Sequence, residues 1–192
     1  MTAVLYIHGF LSSPKSHKAQ VTEQWLKTHY PYVKFFCPAL SSYPSIAKST
    51  LDELTDRLQD DMVFIIGSSL GGFWSTYLIE NRKAEKAVLV NPAVSPQTRF
   101  TELIDVPLQS YYTNEVFQLT EKDLLDLERY DRKKISQPLR YWLMVQTGDE
   151  TLDYRLAVDR YSKCRKLVEE GGSHTFDGFE KWLPKIAKFF NL

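Results

Sequence analysis

The sequence feature that most constrains the fold is the stretch at residues 61–74. Its apolar residues 62–66 are mostly β-branched or aromatic and predict a buried strand, whereas residues 73–81 predict a helix. The turn between them reads G-S-S-L-G-G and matches the pattern G-x-S-x-G, with Ser69 at its centre. A helix that begins directly after such a turn directs free N–H groups and the positive end of its dipole at the central residue. The stretch therefore predicts a sharp strand-turn-helix with a nucleophilic serine at 69.

Ser68 is the competing candidate for the nucleophile. Gly67 and Gly71 lie two positions on either side of Ser69, where neighbouring backbone crowds the turn, and Ser68 lacks this flanking spacing. A residue held in a strained turn of this kind stores about 1–3 kcal/mol. We therefore predict Ser69 as the nucleophile.

Length and charge limit the class of protein. A chain of 192 residues fits one domain, here 1–192, and 43% hydrophobic with 25% charged residues is ordinary for a globular protein. Lys+Arg and Asp+Glu both number 24, so no net field favours nucleic acid or anionic lipid as a partner. The N-terminal apolar run has no basic segment before it and is too short for a signal peptide or a membrane span, so we expect a cytoplasmic protein. Cys37 and Cys164 are expected to be reduced core residues.

Strands and helices alternate along the chain. This alternation predicts an α/β fold with a mainly parallel sheet of about six strands and helices on both faces. Ser13 is predicted to cap the first helix, with Pro14 at its first position, Ser45 the second helix and Asp177 the last. The predicted strands are 4–7, 33–37, 62–66, 87–90, 139–146 and 165–168, and the predicted helices are 15–29, 45–59, 71–81, 120–134, 153–162 and 178–189.

The alternation is interrupted at residues 94–137. Short apolar pieces are broken there by Pro96 and Pro107 before the helix at 120–134. An excursion between two strands of a regular sheet is typical of a small cap over a site, and it is equally compatible with simple packing at the sheet edge. Both interpretations stay open at this point.

A serine nucleophile needs a base, and the base needs a group that orients it. The site of a parallel sheet lies at the carboxyl ends of its strands, and His174 is in the glycine-rich loop after the final strand. The other histidines are less well placed: His17 and His29 fall on the first helix, and His8 precedes a tight turn. For the orienting acid we favour Asp149, just past the strand at 139–146. The alternative, Asp153, is expected to cap the next helix.

The tetrahedral intermediate of acyl transfer also needs two N–H donors for its oxyanion. One is predicted to be the N–H of Leu70, directly after the nucleophile. The other is predicted to be the N–H of Phe10, because Gly9 permits a tight turn after the first strand. In this arrangement His8 holds the loop in place.

Five blocks of sequence, in chain order and spread over nearly the whole length, resemble the YqiA-type esterases, which are small bacterial members of the α/β-hydrolase superfamily. The resemblance implies an α/β-hydrolase fold, a triad of Ser69, Asp149 and His174, and an oxyanion hole from Phe10 and Leu70. It also implies hydrolysis of short acyl esters, with acyl-CoA thioesters as a further substrate class. The blocks are H-G-F-L-S-S-P-K-S at 8–16, G-S-S-L-G-G at 67–72, V-N-P-A at 90–93, T-G-D-E-T-L-D-Y at 147–154 and E-G-G-S-H-T-F at 170–176.

The sequence thus predicts a cofactor-independent serine esterase that acts on a small-molecule ester. No Cys/His cluster has metal-ligand spacing, so we expect no metal. Tyr111, Tyr112 and Phe117 are candidate substrate-binding residues, or else they pack the excursion onto the sheet. The rival functions are an acyl-CoA thioesterase with the same residues, a peptidase, a lyase on the same fold, and a hydrolase-like module that binds a ligand without turnover.

Overall fold

The computed structural model describes residues 1–192, and a six-stranded parallel sheet lies at its centre. Its strand order is β2-β1-β3-β4-β7-β8, and β5 and β6 form a separate antiparallel pair. The six strands of the sheet correspond to the six predicted ones, and every pair in the sheet is parallel. The eight strands are β1 (Thr2–Ile7), β2 (Lys34–Phe36), β3 (Met62–Ser68), β4 (Lys86–Val90), β5 (Leu108–Gln109), β6 (Val116–Phe117), β7 (Tyr141–Gln146) and β8 (Arg165–Glu169).

Helices cover both faces of the sheet, as predicted. Successive side chains of a strand point to opposite faces, so Leu5 of β1 packs into one core layer and Tyr6 into the other. The layer around Leu5 receives residues of α2, α3, α5 and α6, and the layer around Tyr6 receives residues of α1 and α7. The helices are α1 (His17–His29), α2 (Pro44–Arg57), α3 (Leu70–Glu80), α4 (Gln97–Phe100), α5 (Glu121–Tyr130), α6 (Tyr154–Arg160) and α7 (Leu183–Phe190).

The predicted starts of the first two helices are wrong by one to a few residues. The α1 helix begins at His17 with Ser16 at the N-cap position, because Ser13 forms a separate turn: its carbonyl accepts the Ser16 N–H at 3.0 Å. The α2 helix begins at Pro44 rather than after Ser45, since proline fits the first helical position.

The start of the last helix also differs from the prediction. Gly178, with φ of 69°, precedes a short 3-10 turn at Phe179–Trp182, and α7 begins only at Leu183. Asp177 does not cap a helix, because its carboxylate accepts the hydroxyl of Ser173 at 2.7 Å. Asp153, by contrast, caps α6 as expected and accepts the N–H of Arg155 at 3.0 Å.

The predicted excursion at 94–137, called the insertion below, contains α4, the β5–β6 hairpin and α5. Its two ends are joined by a largely buried cluster of polar side chains. Arg160 of α6 bonds Asp131 at 3.0 Å and the hydroxyl of Ser95 at 3.0 Å, and that hydroxyl donates to Asp131 at 2.8 Å. The insertion reaches the loop after β1, where the N–H of Tyr111 donates to the carbonyl of Leu11 at 3.0 Å. It therefore borders the carboxyl edge of the sheet.

Two further features of the sequence are the cysteines and the length of the apolar segments. Both cysteines are free, and burial raises the pKa of Cys37 to about 12 and that of Cys164 to about 11, so neither forms a reactive thiolate at neutral pH. Every helix falls short of the length and apolar character that a membrane crossing demands.

Candidate active site

Ser69 lies in the sharp turn between β3 and α3. Its backbone has φ of 56° and ψ of −121°, a region that residues other than glycine seldom adopt. The turn fits because its flanking glycines have no side chains. A Cβ on Gly67 would collide with the Ser75 hydroxyl and the carbonyl of Gly71, and one on Gly71 would collide with the carbonyl of Ile7. The neighbouring Ser68 is the last residue of β3 and is buried.

The structure brings Ser69, His174 and Asp149 into one hydrogen-bonded row. The His174 Nε2 atom lies 3.0 Å from the Ser69 hydroxyl oxygen, and His174 Nδ1 lies 2.9 Å and 3.0 Å from the two carboxylate oxygens of Asp149. The Asp149 side chain is 1% exposed and that of His174 is 20% exposed. A histidine that contacts a buried carboxylate through one ring nitrogen and a serine hydroxyl through the other has the arrangement that activation of a serine nucleophile requires.

Asp149 is held as a carboxylate. Burial by itself would raise the pKa of this carboxyl, but hydrogen bonds from His174 and from the Leu152 and Thr151 N–H groups outweigh that effect and lower the pKa below its usual value. Those two N–H groups donate at 2.8 Å and 2.9 Å to the same oxygen. An ionised acid next to Nδ1 favours the tautomer with its proton on Nδ1 and the lone pair of Nε2 facing Ser69.

The predicted oxyanion donors lie on two sides of the serine. Leu70 is the first residue of α3, so its N–H has no carbonyl of its own helix to bond. The N–H of Phe10 likewise has no protein acceptor. Gly9 lets the β1 loop come close, because a Cβ there would lie only 3.1 Å from the Cβ of Ser69.

His8 holds the loop after β1 in place through the two nitrogens of its ring. It is 3% exposed, its Nδ1 lies 2.9 Å from the carbonyl of Gly9, and its Nε2 accepts the Leu40 N–H at 3.0 Å. The second bond needs an unprotonated Nε2. Burial lowers the pKa of His8 below its usual value, which agrees with a neutral ring. His17 and His29, the other two histidines, lie on α1 as expected.

Asn91 holds the histidine loop, a role that the sequence did not reveal. It directly follows β4, is 2% exposed and has φ of 41°, a conformation that asparagine tolerates better than most residues. Its side-chain amide donates to the carbonyls of Ser173 and His174 at 2.9 Å and 3.1 Å, and its side-chain oxygen accepts the Gln146 N–H at 3.0 Å. The signal available in the sequence was a polar residue at a carboxyl strand end, within the V-N-P-A block.

Gln146 completes this clamp from the end of β7. Its side chain is buried, and the side-chain oxygen accepts the N–H groups of Ser173 and Asp177 at 3.1 Å and 2.8 Å. Its NH₂ group donates to Glu169 and to the Asp177 carbonyl, both at 2.9 Å. We define the amide clamp as Asn91 and Gln146. It fixes the backbone on both sides of His174.

A cavity of about 850 Å³ opens beside Ser69 and His174. Of the three candidate substrate-binding residues, Tyr111 and Tyr112 contribute to its lining. Phe117 does not line it, which corrects the prediction for that residue. Phe117 is 5% exposed and its ring packs edge-on against Phe10 and Tyr43, so it supports the loop after β1 instead of contacting the cavity. Nowhere in the structure do three or more His, Cys, Asp or Glu side chains gather so that they could hold a metal ion.

Comparison with known sequences identifies relatives along the whole chain. A family model described as "Uncharacterised protein family (UPF0227)" matches residues 3–191. A UPF0227 protein of Pectobacterium atrosepticum is 24% identical over 194 aligned positions, which cover 98% of this chain and 99% of that protein. A UPF0227 protein of Shewanella woodyi is 26% identical over 196 positions, which cover 97% and 98% of the two chains.

Solved structures with the same architecture are hydrolases and esterases. Alpha/beta hydrolase domain-containing protein 10 from mouse superposes with a TM-score of 0.75 at 15% identity, over 98% of this chain and 89% of that one. Est1E from Butyrivibrio proteoclasticus, with ferulic acid bound, gives 0.75 at 13%, over 100% and 88%. The esterase domain of a Rhodothermus marinus protein gives 0.69 at 14%, over 99% and 85%. At these identities the comparison establishes the α/β-hydrolase fold.

Proposed function

The chain belongs to the UPF0227 family, and we propose that it is a serine esterase that hydrolyses short-chain acyl esters through a triad and an acyl-enzyme. One observation carries the proposal: the Ser69 hydroxyl lies 3.0 Å from a histidine nitrogen whose partner nitrogen contacts a buried carboxylate. The strained backbone of Ser69 and the unbonded N–H groups of Phe10 and Leu70 support it. The esterase domain among the solved neighbours supports ester hydrolysis as the chemistry within this fold.

In the first half-reaction, His174 removes the proton of Ser69 as the serine oxygen attacks the ester carbonyl. The carbonyl oxygen becomes an oxyanion and accepts the N–H groups of Phe10 and Leu70. Each such donor contributes about 2.7–4 kcal/mol of transition-state stabilisation. Asp149 stabilises the imidazolium, and His174 then gives its proton to the departing alcohol, which leaves the acyl group on Ser69.

In the second half-reaction, a water molecule takes the place of the alcohol. His174 removes a proton from this water, the resulting hydroxide attacks the acyl-enzyme, and the same two N–H groups bind the second oxyanion. The acid is released when His174 returns its proton to the Ser69 oxygen. Every step uses groups of the chain itself, and the mechanism needs no cofactor.

The proposal is tested by hydrolysis of p-nitrophenyl butyrate by the wild type, Ser69→Ala and the matched control Ser75→Ala. We expect loss of about 10³-fold or more in kcat for Ser69→Ala and retained activity for the control, whose hydroxyl bonds only the Gly71 carbonyl within α3. Between about pH 5 and pH 9, ionisation of Asp149 should not limit wild-type activity, because its pKa lies below its usual value.

The same assay separates the rival functions. A kcat/KM for butyryl-CoA above that for every oxygen ester would identify a thioesterase. Activity that survives Ser69→Ala would refute the triad. A wild type that hydrolyses neither ester nor thioester would refute the enzyme and leave the non-catalytic binding module.

A further inference from the structure

The cavity beside Ser69 has two chemically different walls. We define the insertion wall by side chains of the insertion and the α1 wall by polar side chains around the start of α1. At the rim of the insertion wall lie the exposed Arg99 and Glu102. The insertion wall comprises Val94, Phe100, Leu103, Leu108, Tyr111 and Tyr112, and the α1 wall comprises Ser12, Ser16, His17, Lys18, Asp177 and Glu180.

The α1 wall adjoins the catalytic base. The ammonium group of Lys18 donates to the carbonyl of Thr175 at 2.6 Å, and Thr175 directly follows His174 in the chain. His17, one residue before Lys18, pairs with Glu180. Glu180 lies in the 3-10 turn Phe179–Trp182 that precedes α7. The α1 wall therefore continues the surface that carries His174.

The mechanism fixes which part of an ester lies on this side. In the first half-reaction His174 must give its proton to the oxygen of the departing alcohol, so that oxygen lies within hydrogen-bond reach of His174 Nε2. The alcohol then extends along the α1 wall. The acyl group extends toward the insertion wall, whose six defining side chains carry no charge.

The α1 wall offers hydrogen-bond donors and acceptors together. Burial lowers the pKa of Lys18, while the negative charges of Glu180 and Asp177 act against that shift. The buried hydroxyl oxygen of Ser16 has no hydrogen-bond partner in the protein. The first N–H groups of α1 receive no side-chain cap. A bound molecule with several hydroxyl groups would both donate to and accept from this wall.

Building on the proposed function, we propose that the α1 wall is the subsite for the leaving group and that the substrate is a short-chain acyl ester of an uncharged polyhydroxy alcohol, such as glycerol. A strongly anionic leaving group such as coenzyme A would meet the carboxylates of Asp177 and Glu180. A plain alkyl alcohol would leave the polar groups of the wall without new partners, which penalises its binding.

The test holds the acyl group constant and changes only the alcohol. Initial rates are measured in a pH-stat for 1-monobutyrin, butyl butyrate and butyryl-CoA with the full-length protein. We expect kcat/KM for 1-monobutyrin to exceed that for butyl butyrate by about tenfold or more, because a site with polar partners discriminates against an analogue that lacks the hydroxyls. Butyryl-CoA should be the poorest substrate.

Variants show whether the α1 wall causes the preference. Lys18→Met should lower the ratio of kcat/KM for 1-monobutyrin over butyl butyrate severalfold, whereas Lys15→Met, an exposed lysine outside the cavity, should leave the ratio unchanged. Ser16→Ala should lower the same ratio without loss of thermal stability, because the hydroxyl that it removes bonds no protein group. The Ser16→Ala variant still tests the α1 wall if Lys18→Met does not fold.

The outcomes separate this inference from the proposed function. Equal kcat/KM for the two butyrate esters, or a ratio that both variants leave unchanged, would overturn the leaving-group subsite while the esterase stands. Preference for butyryl-CoA would also overturn it. Absence of Ser69-dependent hydrolysis of any of the three substrates would overturn the proposed function itself.

Discussion

The two halves of the candidate active site are held by different kinds of interaction. In the half around His174, called the base half, the amide clamp of Asn91 and Gln146 fixes the His174 loop through five hydrogen bonds between 2.8 and 3.1 Å. In the other half, called the oxyanion half because it carries the proposed oxyanion donors, the ring of Phe10 packs between aromatic side chains of the insertion. Its centroid lies 4.5 Å from that of Phe100 and 5.7 Å from that of Phe117.

This difference has a physical consequence. Hydrogen bonds are directional, and a buried polar group that loses its partner costs about 1–3 kcal/mol, so the base half tolerates little displacement. Apolar contacts depend mainly on area and shape, so the oxyanion half can adjust when the insertion changes. We expect substitutions in the clamp to have larger effects on catalysis than substitutions in the aromatic contacts.

Among the substitutions that compare the two halves, the largest effect is expected for Asn91→Asp. A carboxylate still accepts the Gln146 N–H, but it places an oxygen against the carbonyls of Ser173 and His174, where the amide donated. The resulting shift of His174 should lower kcat for p-nitrophenyl butyrate about 10²-fold with little change in KM, because misplacement by 1 Å has an effect of that size. Steady-state kinetics, corrected by active-site titration, measure it.

The control for this prediction is Asn81→Asp. Asn81 also donates its side-chain amide to a carbonyl, that of Tyr77, but it lies at the far end of α3. If Asn91→Asp reduced only the fraction of active protein and left kcat per titrated site unchanged, Asn91 would have a structural role and the contrast between the two halves would fail.

A smaller effect is expected for Phe117→Leu in the oxyanion half. Leucine keeps much of the apolar volume but loses the edge contact with Phe10, so the Phe10 N–H should lose part of its positioning. We expect kcat to fall about three- to tenfold, a fraction of the 10²–10³ attributed to a whole oxyanion donor. KM should stay near the wild-type value, because Phe117 lies outside the cavity lining.

Phe189→Leu provides the matched control, because Phe189 packs on Trp142 and Phe190 away from the site. It should leave kcat unchanged even if it lowers the melting temperature. A loss for Phe117→Leu as large as that for Asn91→Asp would mean that packing positions the site as strictly as hydrogen bonds do.

The smallest expected effect concerns His8 and pH. The folded protein keeps His8 neutral because burial lowers its pKa, whereas an unfolded histidine takes up a proton near its usual pKa of about 6.5. The contribution of His8 to stability is therefore complete above about pH 6.5 and is lost as pH falls toward the lower pKa of the folded state. Thermal unfolding between about pH 7.5 and pH 5 should show a shift of a few degrees, since 1 kcal/mol corresponds to about 2–4 °C at this size.

His8→Asn should flatten this pH dependence, because the variant has no proton to take up at position 8. The exposed His29 serves as the comparison, and His29→Asn should retain the wild-type slope. Identical slopes for all three proteins would show that the imidazole of His8 is not held neutral beside the loop after β1.

Much of the fold was predictable because it depends on local pattern. The alternation of short apolar runs with amphipathic helical runs predicted a mainly parallel sheet of about six strands with helices on both faces, and this prediction is confirmed. The helix starts were less accurate. Ser13 and Asp177 are good capping residues by type, but each forms hydrogen bonds within its own loop, and a sequence pattern does not distinguish these alternatives.

The candidate site was predictable to the extent that the fold fixes which loops meet. Parallel strands carry their carboxyl ends to one edge, so the loops with Ser69, Asp149 and His174 were expected to converge, and their side chains are within hydrogen-bond distance. Their catalytic roles stay a proposal. Phe117 shows the limit: its type suggested a substrate contact, and only its position behind Phe10 reveals a supporting role.

The sequence by itself determined the sheet, the serine turn and the set of loops around it, because these follow from the periodicity of apolar residues and from glycines that local crowding requires. The tertiary structure alone decided how Asn91 and Gln146 hold the histidine loop, and which walls the insertion and α1 contribute to the cavity. Such contacts join residues far apart in the chain: 82 and 83 positions separate Asn91 from its partners in the His174 loop, and 157 positions separate Lys18 from Thr175. Their partners are chosen by the packing of whole elements, which no local pattern of residues encodes.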